Sequence, residues 1–176
     1  MFTYCVCLTA ILLSNSFLKP NVKIYSENTI ELKNNYLTGN ICIQSNEKIT
    51  VSSKTKLNDI LLIAPIIEIE DNVKGNFQII AEKKILIGKN CRLNYPSSIV
   101  LIPKATAVEV TDSTKPNVFI DSGSIIKGSI FYFTPKIEEY ENTFKTDMVL
   151  NENTKLIGEI YCEGNLELKG TVIGSV

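Results

Sequence analysis

Histidine is absent from the 176 residues, and arginine occurs once, as Arg92. The missing imidazole removes the usual proton carrier near neutral pH and weakens most metal and acid/base chemistries together. Cysteine is sparse and dispersed: Cys42, Cys91 and Cys162 stand singly, and only Cys5 and Cys7 are close, at a spacing that does not match the usual zinc-ligand gap. No metal centre, no cofactor and no disulfide framework is expected, and the thiols read as free, strand-compatible residues. Charge of one sign is lacking too, with 18 basic against 19 acidic residues, so no global basic field points to nucleic acid as a partner. The apolar run YCVCLTAILL covers only residues 4–13, whereas a membrane-spanning helix needs about 20. Residues 1–20 therefore form an apolar N-terminal segment with three readings: a secretory signal, although no Lys or Arg leads it; the remnant of an anchor; or an extra strand or cap on the domain that follows.

What the chain does have is Ile, Val and Leu, which dominate its 44% hydrophobic content and favour strands over helices. They recur as pairs flanking one outward residue: Ile30/Leu32, Ile49/Val51, Ile67/Ile69, Ile85/Ile87, Val118/Ile120, Met148/Leu150 and Leu166/Leu168. The second members are separated by 19, 18, 18, 33, 30 and 18 positions. A turn signal follows each pair, seen as Asn34-Asn35, Ser53-Lys54, Asp71-Asn72, Lys89-Asn90, Ser122-Gly123, Glu152-Asn153 and Gly170-Thr171. Beyond it the same spacing predicts an inward column of mostly small or β-branched residues, Tyr36, Thr55, Val73, Cys91, Ser124, Thr154 and Val172, and a second of Thr38, Leu57, Gly75, Leu93, Ile126, Leu156 and Gly174. A third pair follows in the better coils, as in Ile79/Ala81, Ile130/Tyr132 and Ile160/Cys162.

Strands turn alternate side chains to one side, so inward residues at alternating intervals of 2 and 4 describe a coil of three short strands. One coil cannot bury its inner side alone. Stacked about 4.8 Å apart, successive coils close a continuous core and pair their backbones, with each buried Ile or Leu worth roughly 1.5 to 3 kcal/mol. The expected fold is all-β, a single three-sided parallel β-helix over residues 21–176 with about 18 residues per coil, preferably right-handed because of the bulky anchor pairs and uneven coil lengths.

Two insertions interrupt the period, PKATAVEVTDSTKPN at 103–117 and PKIEEYENTFKTD at 135–147. Both open with Pro-Lys, and Pro65 stands at the matching point of an uninterrupted coil. Proline cannot donate to a ladder, so all three are expected where strands stop, along one edge. Loops on one edge are natural contact points, and Glu138, Glu139, Tyr140 and Glu141 make the second acidic and aromatic. Outward of the core, Lys56, Lys74 and Arg92, followed by Ile125, Lys155 and Ile173, fall in one column. Stacked like charges serve either as a flank that discourages sheet contacts or as a contact for an anionic polymer or lipid surface.

Catalysis finds little support in these residues. Eighteen residues per coil also suits hexapeptide-repeat acyltransferases, the remote alternative, but their usual His is missing and their small-before-aliphatic rhythm fits one face only. Glu68, Glu70, Asp121, Glu152 and Glu163 form no evident pair beside an Arg, as a polysaccharide-cleaving β-helix would need. GEIYCEGNLELKGTVIGSV, residues 158–176, resembles the G-x-I, L-x-L-x-G-x-V-x-G-x-V rhythm of the bactofilins, bacterial polymer-forming cytoskeletal proteins. That resemblance implies a right-handed three-sided β-helix, assembly end to end without a nucleotide, and membrane attachment by an N-terminal segment. The insertions and the apolar start depart from the family, so an envelope β-helix that does not polymerise stays open.

The coil of Leu166, Leu168, Val172 and Val176 has no charged or Pro-rich segment after it. An uncovered coil offers unpaired backbone groups and apolar side chains to another chain. The expected function is a non-enzymatic scaffold of the bacterial cell envelope or cytoskeleton, membrane-associated, with the cytoplasmic face as the alternative location. Its expected partner is itself, through those four residues, with a membrane or cell-wall polymer as a further partner. The alternative function is a binding or adhesion module that contacts a polymer or protein through the edge loops.

Overall fold

The computed structural model describes residues 6–103, 116–134 and 146–176. Among them are fifteen strands and no helix: β1 (Val6–Thr9), β2 (Leu12–Asn15), β3 (Val22–Ser26), β4 (Ile30–Lys33), β5 (Tyr36–Ser45), β6 (Lys48–Val51), β7 (Lys56–Ile69), β8 (Lys74–Ile87), β9 (Arg92–Leu101), β10 (Val118–Ile120), β11 (Ile125–Tyr132), β12 (Met148–Leu150), β13 (Lys155–Cys162), β14 (Leu166–Leu168) and β15 (Thr171–Ser175). All belong to one sheet, and the pairings between them are parallel. The architecture is that of a parallel-strand, solenoid-like protein. The N-terminal segment joins it, since β1 pairs with β4 and β2 with β5.

The anchor pairs stack one upon the next. Ile30 partners Ile49, Ile49 partners Ile67, and Ile67 partners Ile85. Ile85 partners Val118, Val118 partners Met148 and Met148 partners Leu166. Ile69, Ile87, Ile120 and Leu150 align in the same way. Partner positions differ by 18 from β7 to β8, by 33 from β8 to β10 and by 30 from β10 to β12, and the register survives both insertions. Pairs from Ile30/Leu32 to Met148/Leu150 are essentially inaccessible to solvent. Side chains directly above one another on adjacent strands account for this, because each rung covers the one before it.

A second run of pairings aligns Leu37, Leu57, Gly75, Leu93, Ile126, Leu156 and Val172. A third aligns Ile43, Leu62, Ile79, Ile99, Ile130 and Ile160. At Gly75 a Cβ would stand 2.3 Å from the Leu57 carbonyl oxygen of the adjacent rung and 3.2 Å from the buried Phe77 ring, so there is no room for a side chain.

The turns after the anchors explain their composition. Asn34, Asn72, Asn90 and Asn153 have positive φ, between 56° and 65°, and Gly123 has φ of 75°; asparagine tolerates this conformation because its side chain bonds locally. The next residue points inward and is small because it sits inside a corner. At Ser124 the hydroxyl accepts the Cys91 N–H at 2.9 Å and donates to the Gly88 carbonyl at 2.8 Å. Thr55 donates to the Leu32 carbonyl at 2.9 Å and Thr154 to that of Asn151 at 2.7 Å. These hydroxyls satisfy buried turn groups that the ladders leave over. Asn35 occupies the equivalent corner and is buried, but its amide nitrogen and oxygen have no hydrogen-bond partner.

Several positions differ from the expected columns. Tyr36 pairs with Lys56 and is outward, so Asn35 and Leu37 take the inward places expected of Tyr36 and Thr38. In the last rung Val172 pairs with Leu156, Ile173 with Ile157 and Gly174 with Gly158, a two-residue slip that arises because the turn after Leu168 is shorter than the one after Leu150. Pro65 does not stop a strand. It lies inside β7, where the register shifts between Ala64 and Ile66, and such an irregularity is one of the places a sheet admits proline.

Candidate functional site

The structure brings Lys56, Lys74 and Arg92 together. Lys56 partners Lys74, Lys74 partners Arg92, and all three are exposed. The column continues through Ile125 and Lys155 to Thr171, not to Ile173. The stack is set by local chemistry: each cation follows the inward corner residue Thr55, Val73 or Cys91 and therefore points outward.

Leu166, Leu168 and Val172 likewise share one end. They extend the columns of Met148, Leu150 and Leu156, but Leu166 and Val172 are only partly buried and Leu168 is 42% exposed. Val176 stands beyond β15 and is 72% exposed. Among the described residues β14 pairs only with β12, and β15 only with β13. One side of this rung therefore has no strand against it in the described structure.

A cleft of about 730 Å³ runs along the outside of the anchor ladder. Leu86 and Phe119 line it with Glu68, Glu70, Asp71 and Asp121, and Pro116 closes one side. Glu68 pairs with Lys48. Asp71 accepts the Lys89 N–H at 2.7 Å. Asp121 accepts the Ser122 N–H at 2.7 Å and the Asn151 amide at 3.0 Å. Burial pushes the Asp121 carboxyl up, yet these hydrogen bonds and the charge of Lys89 together hold it below its usual value. The rim is lined by carboxyl groups and the floor is apolar, an arrangement suited to a cation carried on an apolar body.

The sequence pairs none of these carboxylates, but a signal is present in it: Glu70 and Asp121 each follow the second residue of an anchor pair, and those anchors lie in one column. A second unanticipated surface is aromatic. Phe131 and Phe133 stack with centroids 6.5 Å apart, and Tyr161 lies 5.5 Å from Phe133. A hydrogen bond to Glu163, and that carboxylate's charge, raise the Tyr161 hydroxyl above its usual value.

Burial pushes up the thiols of Cys42, Cys91 and Cys162, which disfavours the reactive thiolate. All three are free. Among the described residues no cluster of acidic or cysteine side chains could hold a metal ion, and no helix is long and apolar enough to cross a membrane. Glu138, Glu139, Tyr140 and Glu141 of the second insertion, and Cys5, lie outside the described residues. Only the feet of the loops are described. The buried Tyr132 hydroxyl accepts from the Asn117 amide at 3.0 Å and donates to Asp147 at 3.2 Å, joining the ends of both insertions.

The fold and these surfaces define a class, the parallel-strand solenoid-like proteins. In comparison with known proteins the chain matches no family model, no curated protein and no solved structure.

Proposed function

We propose that this chain is a non-enzymatic structural scaffold that associates with itself, built as a right-handed, three-sided β-helix of about 18 residues per coil. The observation that carries the reading is the rung of β14 and β15. Leu166, Leu168 and Val172 continue columns that are buried from Ile30/Leu32 to Met148/Leu150 and at Leu37, Leu57, Leu93, Ile126 and Leu156, yet they remain partly or largely exposed. A rung from a second copy laid against them extends the apolar core and gives the strand edges a partner. Contact between equivalent ends, related by a two-fold axis, closes a dimer; contact at both ends of the rod gives a filament. The likeness of residues 158–176 to bactofilins supports a bacterial, membrane-associated setting in the cell envelope or cytoskeleton, with the cytoplasmic face as the alternative.

Electron microscopy and analytical ultracentrifugation at moderate ionic strength test the reading. Filaments or dimers are expected from the unaltered protein and monomers from Leu168→Asp or Val172→Asp, because each substitution sets a carboxylate into an apolar contact. Assemblies that survive both changes would argue against end-to-end stacking. A binding module that works through the edge loops is the second reading. The acidic cleft with Pro116, from the first insertion, on its wall favours it, and monodisperse particles under the same conditions would support it.

A further inference from the structure

Charge is sorted between the outer surfaces of this rod. On the anchor ladder the bases stand beside acids: Lys33 pairs with Glu31, Lys48 with Glu68, and Lys169 with Glu167, and the acidic cleft lies on the same side. The outward positions of the second ladder are different. From Tyr36 to Ile173 they hold Lys56, Lys74, Arg92, Lys127 and Lys155, with the Asp59 carboxylate beside them at the corner that follows Asn58. All five cations are exposed, and none of them forms an ion pair with the described residues. In a chain whose net charge is −1, this basic surface is a local arrangement and not an overflow of positive charge.

A row of amides stands beside the cations. Asn58 partners Asn76 two residues along from Lys56 and Lys74, and Asn94 holds the equivalent position after Arg92. Asn76 donates to Asp59 at 2.7 Å, and its amide oxygen keeps its capacity to accept. The repeated unit is thus a cation and an amide roughly 7 Å apart along the strand, stacked at about 4.8 Å per rung. A cation matches a carboxylate, and an amide, being donor and acceptor, matches hydroxyl groups. Rungs at this spacing match a linear polymer that repeats both groups along its length. A flat lipid headgroup layer would use the cations but not the row of amides.

We propose that this face binds a linear acidic polysaccharide of the polyuronate class, lying along the rod with its carboxylates against Lys56, Lys74 and Arg92 and its hydroxyls against the asparagine row. The proposal does not depend on self-association.

Affinity electrophoresis of the full chain through gels containing polygalacturonate, or neutral dextran as the control, tests it. Retardation is expected with polygalacturonate alone and should diminish as salt is added, because exposed charges are screened. Lys56→Ser, Lys74→Ser and Arg92→Ser combined should weaken it about tenfold, the loss of three exposed ion pairs. These side chains are exposed, and an unchanged circular dichroism spectrum verifies that the variant folds. A second variant, Lys33→Ser, Lys48→Ser and Lys169→Ser, makes the same charge change on the anchor ladder and should bind as the parent does. Equal loss in both variants, undiminished binding in the first, or retardation by dextran would overturn the proposal. Sedimentation with phosphatidylglycerol vesicles in the absence of polygalacturonate binding would also overturn it and identify a membrane as the partner.

Discussion

Gly158→Ala should damage this protein more than its single added carbon suggests. Gly128, Gly158 and Gly174 stand one above another at the same corner, each with φ of 147°. A Cβ at Gly158 would lie 1.8 Å from the Gly128 carbonyl oxygen, a backbone atom that no rotamer change can move aside. An ordinary C···O contact is about 3.3 Å, so the rungs must part by about 1.5 Å locally or the corner must change conformation. The backbone region itself costs a non-glycine residue about 1 to 3 kcal/mol. Each ladder hydrogen bond weakened beside it costs about 1 kcal/mol more. A total near 4 kcal/mol follows, which for a chain of this size lowers Tm by about 8 to 16 °C. Circular dichroism melts measure this, and Ile157→Ala, next door and outward, should stay within about 0.5 kcal/mol of the parent. Because a solenoid's stability resides in nearest-neighbour contacts, amide exchange should quicken first in β11, β13 and β15. A Tm within about 2 °C of the parent, against that expected fall, would refute the argument that the stacked carbonyl excludes a side chain here.

Other consequences can be read from the corners. Ser124→Ala leaves the buried Cys91 N–H and Gly88 carbonyl without their partner and should lower unfolding free energy by about 2 kcal/mol, seen as a lower urea midpoint with an unchanged slope. Asn35→Thr replaces an unpartnered buried amide by the hydroxyl that Thr55 and Thr154 use in that column, and a gain of about 1 kcal/mol is expected; a lower Tm would show that the amide is satisfied. Burial raises the Cys91 thiol, so the folded state favours the protonated form. That stabilisation is complete below the unfolded value of about 8.5 and is lost as pH rises through the folded value. Cys91→Val, matching Val73 below it, should flatten the fall in urea midpoint above about pH 8.5, though not abolish it while Cys42 and Cys162 remain.

The core was legible because its signal is periodic and redundant: each of the seven anchor pairs predicts the next, and a break such as the one between Ile87 and Ile120 leaves the pairs on both sides intact. Legibility ended where turn length varies. Val172 and Gly174 were displaced by two positions because Gly170 follows Leu168 sooner than Thr154 follows Leu150, and hydrophobic spacing carries no record of how tightly a turn closes. Tyr36 was misread for a similar reason, since Asn35 beside it takes the corner while the ring stays outside. The basic column was visible because its three members keep the regular spacing. The acidic cleft was not, because Asp121 reaches Glu70 and Asp71 only after an insertion that a periodic reading treats as an interruption. Even the glycine rhythm that resembles bactofilins has a local cause: Gly158 and Gly174 are corner residues with positive φ.

The clamp at Tyr132 gives the rod a mounting point. Its hydroxyl ties Asn117 to Asp147, while Ile85, Val118 and Met148 remain in line although 33 and 30 positions, not 18, separate them. The stack therefore takes no account of how much polypeptide stands between residues 103 and 117 or between residues 135 and 147. Loop-closure entropy rises by only about 0.6 kcal/mol per doubling of length, so epitopes or whole small domains should be graftable there without retuning the scaffold. If copies stack end to end as proposed, such grafts would recur once per copy, each tethered at the same feet, as a repeated display.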